Sequence, residues 1–261
     1  TRGPGGMAMR GYRRVPSAVA ATIALFLAVG IHAQTANDRY YRFEEGVAGQ
    51  PATGAGSIVD SLHGSPDGTP SGGPIYSSDV PVEVIPLTGQ ANTRSLAFNG
   101  GQSVLFSSFF LLHRGFGDAT LEFFIKVPDQ PHHSIFWTRP DSGDSNRFNI
   151  YVDPGLSFNG SYKDPNGFQH NLQLAGSLVP NQWTHVAIVK DTITAAPVHL
   201  YRVYKNGVLL WTAVDPGPYE ADPDLPWSTS GRSGFQLSGL LDEIRLTQRA
   251  LTPCEFLIAS D

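Results

Sequence analysis

The sequence predicts an all-β, antiparallel two-sheet sandwich of the jelly-roll kind, with roughly a dozen strands and a short C-terminal helical turn. Three observations carry that reading. Turn-forming clusters such as Pro140-Asp141-Ser142-Gly143, Asp153-Pro154-Gly155 and Asp164-Pro165-Asn166-Gly167 punctuate short apolar runs at intervals of about eight to twelve residues. Asn206-Gly207 lies between two β-branched and aromatic runs (VHLYRVYK and VLLWTAV) and supplies the two positive-φ positions of a two-residue hairpin turn. Gln182 to Lys190 is apolar on both alternating sets, Trp183, Ala187 and Val189 on one and Val186 and Ile188 on the other, as a strand covered on both faces must be.

The remaining elements follow in chain order. Asp38 to Glu45 alternates Tyr41 and Phe43 with polar neighbours, the pattern of a strand with one wet face. Gly46 to Gly73 reads as loop around one apolar piece, Ser57 to Asp60. Ser95 to Asn99, a Gly-Gly turn and Gln102 to Phe106 read as a second hairpin, and Ala119 to Val127 interleaves Leu121, Phe123 and Ile125 with polar residues as a sandwich strand does. His133 to Thr138, Arg147 to Val152, Leu156 to Tyr162 and Phe168 to Ala175 are further short strands, and Asp215 to Gly234 is a long irregular insertion. Thr252-Pro253-Cys254-Glu255 combines an N-cap hydroxyl, a proline at the first helical position and a glutamate three residues after the cap, so a helical turn starts there.

Composition narrows the function classes. In 261 residues there are 28 glycines and 20 prolines, only 16% of residues are charged, and the net charge is −5, which suits turn-linked strands and offers no basic field for a nucleic acid. The one cysteine, Cys254, excludes an intrachain disulfide and reads as a small buried residue. Arg10, Arg13 and Arg14 precede the apolar run Val15 to Ile31 and the small-residue segment His32 to Ala36, the layout of a secretory signal peptide cleaved after Ala33. The clean apolar core is shorter than the ~20 residues a spanning helix needs, which favours removal over a retained anchor. Residues 1–33 are therefore assigned to the upstream and signal segment and 34–261 to a single domain, secreted, periplasmic or at the cell surface, with no stable membrane anchor after cleavage.

The strand Trp183 to Ala187 (WTHVA), the turn Tyr204 to Gly207 (YKNG), the closing strand Gly239 to Leu246 (GLLDEIRL) and the segment Arg249 to Glu255 (RALTPCE) occur in an order that resembles the laminin-G-like domains of the concanavalin A-like lectin/glucanase superfamily. The likeness reaches weakly back to about Asp38. It implies a concanavalin A-like jelly roll and, by analogy with sandwiches whose termini are pinned by an ion, a structural calcium. Asp60 in the first loop, Asp242 in the last strand and Asn99 are the ligands this resemblance suggests, since calcium takes six to eight hard oxygens. Against that, Asp60 can make an Asx turn and Asp242 can pair with Arg245.

Three readings of function stay open: an exported non-catalytic module that binds carbohydrate, a polysaccharide hydrolase or lyase with a diverged site, and an adhesive domain that binds an extracellular protein. The sandwich glucanases carry E-x-D-x-x-E, and the nearest string here, Glu220 to Leu225, ends in leucine and contains Pro223. Asp242 and Glu243 are adjacent, so strand alternation sends them to opposite faces and denies them a joint role. His132-His133 reads as a solvated loop pair. For a glycan, the candidates are Trp137 with Arg139 beside the Asp-Ser-Gly-Asp-Ser turn, and Tyr219, Asp222 and Trp227 in the long insertion, because an aromatic plate beside hydrogen-bonding groups suits a pyranose. The alternative for these rings is that they fold back over the ends of the core.

Overall fold

A computed structural model describes residues 34–107, 112, 117–129, 133–138, 148–163, 169–172, 178–193, 198–215, 227–230 and 236–259. Arg139, Tyr219 and Asp222, the signal segment and His132 lie outside these residues.

Two antiparallel sheets account for almost all of the regular structure. The first has ten strands: β1 (Arg39–Tyr41), β2 (Val59–Asp60), β3 (Ser65–Pro66), β5 (Ile75–Ser77), β6 (Ser95–Asn99), β8 (Ala119–Lys126), β13 (Thr184–Ile193), β14 (Val198–Lys205), β15 (Val208–Asp215) and β17 (Ser238–Thr247). The second has seven: β4 (Gly68–Ser71), β7 (Ser103–Phe106), β9 (His133–Thr138), β10 (Phe148–Asp153), β11 (Ser157–Lys163), β12 (Gln169–Leu172) and β16 (Trp227–Thr229). A 3₁₀ turn, η1 (Pro253–Glu255), follows β17, and the Glu255 carboxylate accepts the Thr252 backbone N–H at 2.9 Å as the capping pattern predicts.

Several local expectations are met in detail. Asn206 and Gly207 take φ of 48° and 77° between β14 and β15, and Asn206 Oδ1 accepts the His185 N–H, tying the turn to the neighbouring strand β13. β13 is central and covered on both faces, Val186 and Ile188 facing the main core and Ala187 and Val189 a second cluster with Leu251 and Phe256. β1 lies against β17 with Tyr41 opposite Ile244, so the first and last strands are neighbours.

Other expectations are corrected. Gly46 to Gly73 contains β2, β3 and β4, and the long insertion contains β16. β6 and β7 do not form a hairpin: β6 pairs with β5 and β17 in the first sheet while β7 pairs with β4 and β16 in the second, so the Gly100-Gly101 turn carries the chain from one layer to the other. The expected wet face of β1 is dry, because Tyr40 is buried at 5% exposure in a cluster with Ile85, Phe124 and Leu257. A third layer explains this: residues 79–92 and 251–258 lie over the outward face of the first sheet. His133 is buried within β9, and Cys254 is exposed rather than buried.

The sandwich interior joins both sheets. Phe123, Ile125, Val186, Ile188, Leu241 and Ile244 of the first meet Val104, Phe106, Phe136, Ile150, Val152 and Trp227 of the second. Trp227 stacks on Phe106 at 3.9 Å between ring centroids and meets Tyr41 edge-on at 5.9 Å.

Candidate functional site

Strand alternation decides which side chains the second sheet sends outward. Phe136, Ile150, Val152 and Phe158 point to the core, so their neighbours along β9, β10 and β11 point away from it. Two transverse rows result. In the first, Ser228 of β16 stands opposite Trp137 of β9, Trp137 opposite Asn149 of β10, and Asn149 opposite Ser161 of β11. The same row continues through Leu105 of β7, opposite Ser228, to Thr69 of β4. In the second row Ser134 stands opposite Tyr151 and Tyr151 opposite Asn159.

A bulge makes the second row. Phe136 pairs with Ile150 but Ser134 with Tyr151, so Ile135 is an extra residue in β9 and joins Phe136 in the core. In a regular strand without the bulge Ser134, three positions from Trp137, would face inward. The bulge thus puts Ser134 and Trp137 on one face, and the Ser134 hydroxyl donates to Asn149 Oδ1 at 3.2 Å. Asn159 Nδ2 donates to Asp153 Oδ2 at 2.8 Å at the end of the same face.

The chemistry of this face is uniform. Among its described side chains on β9, β10 and β11 stand two amphipathic rings, Trp137 and Tyr151, the amides Asn149 and Asn159, the hydroxyls Ser134, Ser157 and Ser161, one carboxylate, Asp153, and no aliphatic group. Exposure grades across it: Asn149, Ser134 and Trp137 are deep, Tyr151, Asn159 and Ser228 are half-buried, and Leu105 and Thr69 are open. Rings offering a flat apolar surface beside amides and hydroxyls can hold a ligand that is itself apolar on one side and hydroxylated at its edge.

Of the predicted glycan-binding residues that are described, Trp137 belongs to this face. Trp227 does not: it is fully buried on the inner side of the same sheet, because β16 runs between β7 and β9 and turns its indole into the aromatic cluster. Asn149, Tyr151, Asn159, Ser134, Ser161 and Ser228 were not anticipated. Their signal was the alternation in Phe148 to Asp153 and Ser157 to Ser161, where polar residues interleave with core residues.

The three suggested metal ligands stand in separate places. Asp60 is buried and its carboxylate accepts the backbone N–H groups of Tyr40 and Leu62, each at 3.1 Å, and contacts His63 Nδ1, with Arg39 Nε 3.7 Å away. The Leu62 contact is the Asx turn. Asn99 is exposed and pairs with Ser238, four residues before Asp242 along β17. Asp242 accepts Asn92 Nδ2 at 2.8 Å and its neighbour's N–H at 2.9 Å, while Arg245 pairs with Glu122 instead. Among the described residues, no group of three His, Cys, Asp or Glu side chains converges on a metal position.

Asp242 and Glu243 also correct the alternation argument. β17 is bulged between Asp242 and Arg245 where it pairs with β8, and Glu243 takes φ of 51°. Leu241 and Ile244 both face the core, so Asp242 and Glu243 share the outward side. Both are fully buried under residues 79–92, Glu243 accepting from Tyr40 Oη and from Arg42 Nε at 3.1 Å. Burial, with the Glu243 charge added, pushes the Asp242 carboxyl well above the usual carboxylate range. Burial likewise raises Glu243 against the pull of Tyr40 and Arg42. Beside them Glu122 behaves oppositely: burial alone would raise it, but Arg245, His185 and the Leu257 N–H hold it below the ordinary value.

The two-layer antiparallel architecture and the outward polar face place the protein among jelly-roll sandwiches. A family model described as the concanavalin A-like lectin/glucanases superfamily matches residues 98–256, and the chain belongs to that superfamily. Comparison with curated proteins gives no match. Among solved structures, domain 4 of AbnA, a GH43 extracellular arabinanase from Geobacillus stearothermophilus solved in complex with arabinotriose, is similar with a TM-score of 0.57 at 17% identity over 84% of this chain and 95% of that one. The receptor binding domain of botulinum neurotoxin type G has a TM-score of 0.57 at 11% identity, over 84% of this chain and 49% of that one. The binding domain of Paraclostridial Mosquitocidal Protein 1 also reaches 0.57, at 16% identity, over 85% and 51%. This chain spans about half the length of those two toxin domains, and at these identities the likeness is one of fold.

Proposed function

We propose that this protein is an exported, non-catalytic recognition module that binds carbohydrate on the outward face of the second sheet. The observation that carries the reading is the composition of that face: Trp137 and Tyr151 beside Asn149, Asn159, Ser134 and Ser161 on β9, β10 and β11, with Leu105 of β7 in the same row. It is built from groups that exchange hydrogen bonds with hydroxyls and from rings that can cover the C–H side of a sugar. The arabinotriose complex of the AbnA domain supports a saccharide as ligand for a sandwich of this shape. Export rests on the leader at Arg10 to Ala33.

A glycan array probed with the chain tests this, followed by calorimetric titration of the glycans retained. Tyr151→Ala and Trp137→Ala should each weaken binding by about tenfold or more, the cost of one stacked ring. Retention of no glycan by the wild-type chain, or affinities unchanged in both variants, would overturn the proposal, and capture of a protein receptor in place of a glycan would favour the adhesive alternative.

A further inference from the structure

We infer that β15 is a docking edge for a second copy of this chain, the two strands pairing antiparallel about Thr212 so that the first sheets of both copies continue as one. β15 closes the strand order of the first sheet: it pairs with β14 on one side, and among the described strands nothing pairs with the other. Such an edge presents a row of unpaired backbone N–H and C=O groups, which proteins usually blunt with charge, proline or a bulge. Val208 to Val214 reads VLLWTAV, without a charge or a proline. Its bulge lies early, since Tyr204 pairs with Leu209 and Val203 with Trp211, which makes Leu210 the extra residue and leaves Trp211 to Val214 regular. Of the nine exposed large aliphatic side chains among the described residues, four belong to this one strand, Val208, Leu209, Leu210 and Val214, while the others are distributed along the chain.

The pattern across the strand selects a copy of itself. Trp211 and Ala213 pack against the main core yet are only half-buried, because the core ends at β15. Leu210, Thr212 and Val214 alternate with them on the outward side, beyond the cover that Phe256 extends as far as Tyr204. Whatever lies next must therefore offer apolar residues to the interior and keep the two sides in step. With Thr212 on a twofold axis, Trp211 meets the second copy's Ala213 and Ala213 the second copy's Trp211, so each core is extended by the other. Leu210 then stands opposite the second copy's Val214 on the outward side. Arg202, the residue opposite Thr212 on β14, has its guanidinium on Asp191 at 2.9 Å, so that charge is paired within each copy and an uncharged strand meets an uncharged strand. Because inner residues meet inner residues, the axis is perpendicular to the sheet, and the second sheets of both copies lie on one side with their outward faces turned the same way. On the function proposed above, a glycan-bearing surface would then be met by two faces at once.

Sedimentation equilibrium of the full chain over a dilution series tests this. The wild-type chain should approach twice the monomer mass at high concentration and dissociate on dilution. Thr212 is exposed, and Thr212→Glu sets two carboxylates opposite each other across the axis but beside Arg202 within each copy. It should raise the dissociation constant about tenfold or more while the melting temperature of the monomer holds. Thr212→Cys in a Cys254→Ser background, treated with a short bismaleimide, should give a covalent dimer, and Thr69→Cys in the same background should not. A chain that stays monomeric at every concentration would overturn the inference, whether the edge is then bare or taken by a foreign strand. So would a dimer that neither weakens with Thr212→Glu nor cross-links through position 212, since its interface would lie elsewhere. Neither result bears on the carbohydrate proposal, which is read from glycan binding and not from mass.

Discussion

Trp227 and Trp137 occupy neighbouring strands of the second sheet, and their indoles lie on opposite sides of it. Replacing Trp227 with alanine would leave a void among Phe106, Phe136 and Tyr41, so it should cost about 3–5 kcal/mol in urea unfolding. Trp137 is itself 9% exposed, so Trp137→Ala also lowers the midpoint, but only this variant should lose binding per folded molecule. A Trp137→Ala variant whose folded fraction binds as tightly as wild type would take Trp137 out of the site. Asp242 supplies a second residue-scale expectation. Its folded-state pKa lies above its unfolded one, so its contribution to stability is fully present below about pH 4 and declines as pH rises toward the folded value. Asn92 Oδ1 is buried without a hydrogen-bond partner, and an amide N–H at position 242 can supply one. Asp242→Asn should therefore melt increasingly above wild type as pH is raised above about 4. A gap that stays constant over that range would show that Asp242 ionises normally in the fold.

Among the elements, β17 is the one on which most depends, and two of its residues show why. Gly239 has φ of 144°, and a Cβ there would lie 2.4 Å from the Lys126 carbonyl oxygen of β8. Neither the backbone conformation nor that neighbour can yield cheaply, so Gly239→Ala should cost about 2 kcal/mol or more and separate two central strands. At the other end Arg245 Nε donates to Glu122 at 2.6 Å and Arg245 Nη2 to the Glu255 carbonyl at 2.6 Å, while Glu122 also accepts the Leu257 N–H at 2.8 Å. Glu122 thus fastens the C-terminal segment onto the first sheet. Glu122→Ala leaves Arg245 and His185 without their shared carboxylate, and a loss of about 3–5 kcal/mol in equilibrium unfolding is expected, with residues 251–258 losing hydrogen-exchange protection before the sandwich does. Loss of protection in the second sheet at the same time would mean that the segment is part of the main cooperative unit.

For the molecule as a whole, the two outward faces differ in character, and the proposed function assigns binding to one of them. That of the first sheet is covered and holds buried charge in Glu122, Asp242 and Glu243; that of the second carries the rings and amides. Substitutions at Glu122, Gly239 and Asp242 should therefore shift melting temperature while leaving glycan affinity per folded molecule unchanged, and substitutions at Tyr151 and Asn159 should do the reverse. Much of the fold was legible because it is written in short-range patterns: the Asn206-Gly207 turn needs only its own two residues, and the two-sided apolar pattern of Gln182 to Lys190 needs only alternation. The site was less legible. Attention to loop aromatics singled out Trp137 and Trp227 together, though the interleaving of polar residues in Phe148 to Asp153 already marked a two-faced strand whose outer side is Asn149, Tyr151 and Asp153.

What the sequence determined by itself was mostly local: where the longer strands run, where the tight turn falls, where the helical turn begins, and that the first and last strands belong to one antiparallel sandwich. Which face each side chain uses was decided only by tertiary structure. The bulge at Ile135 places Ser134 beside Trp137, the bulge at Glu243 sets two carboxylates side by side, and the crossing at Gly100-Gly101 sends β6 and β7 into different layers. One extra residue in a strand reverses the side of every residue beyond it, and nothing in the strand's own composition announces it, because the bulge is stabilised by partners distant in the chain.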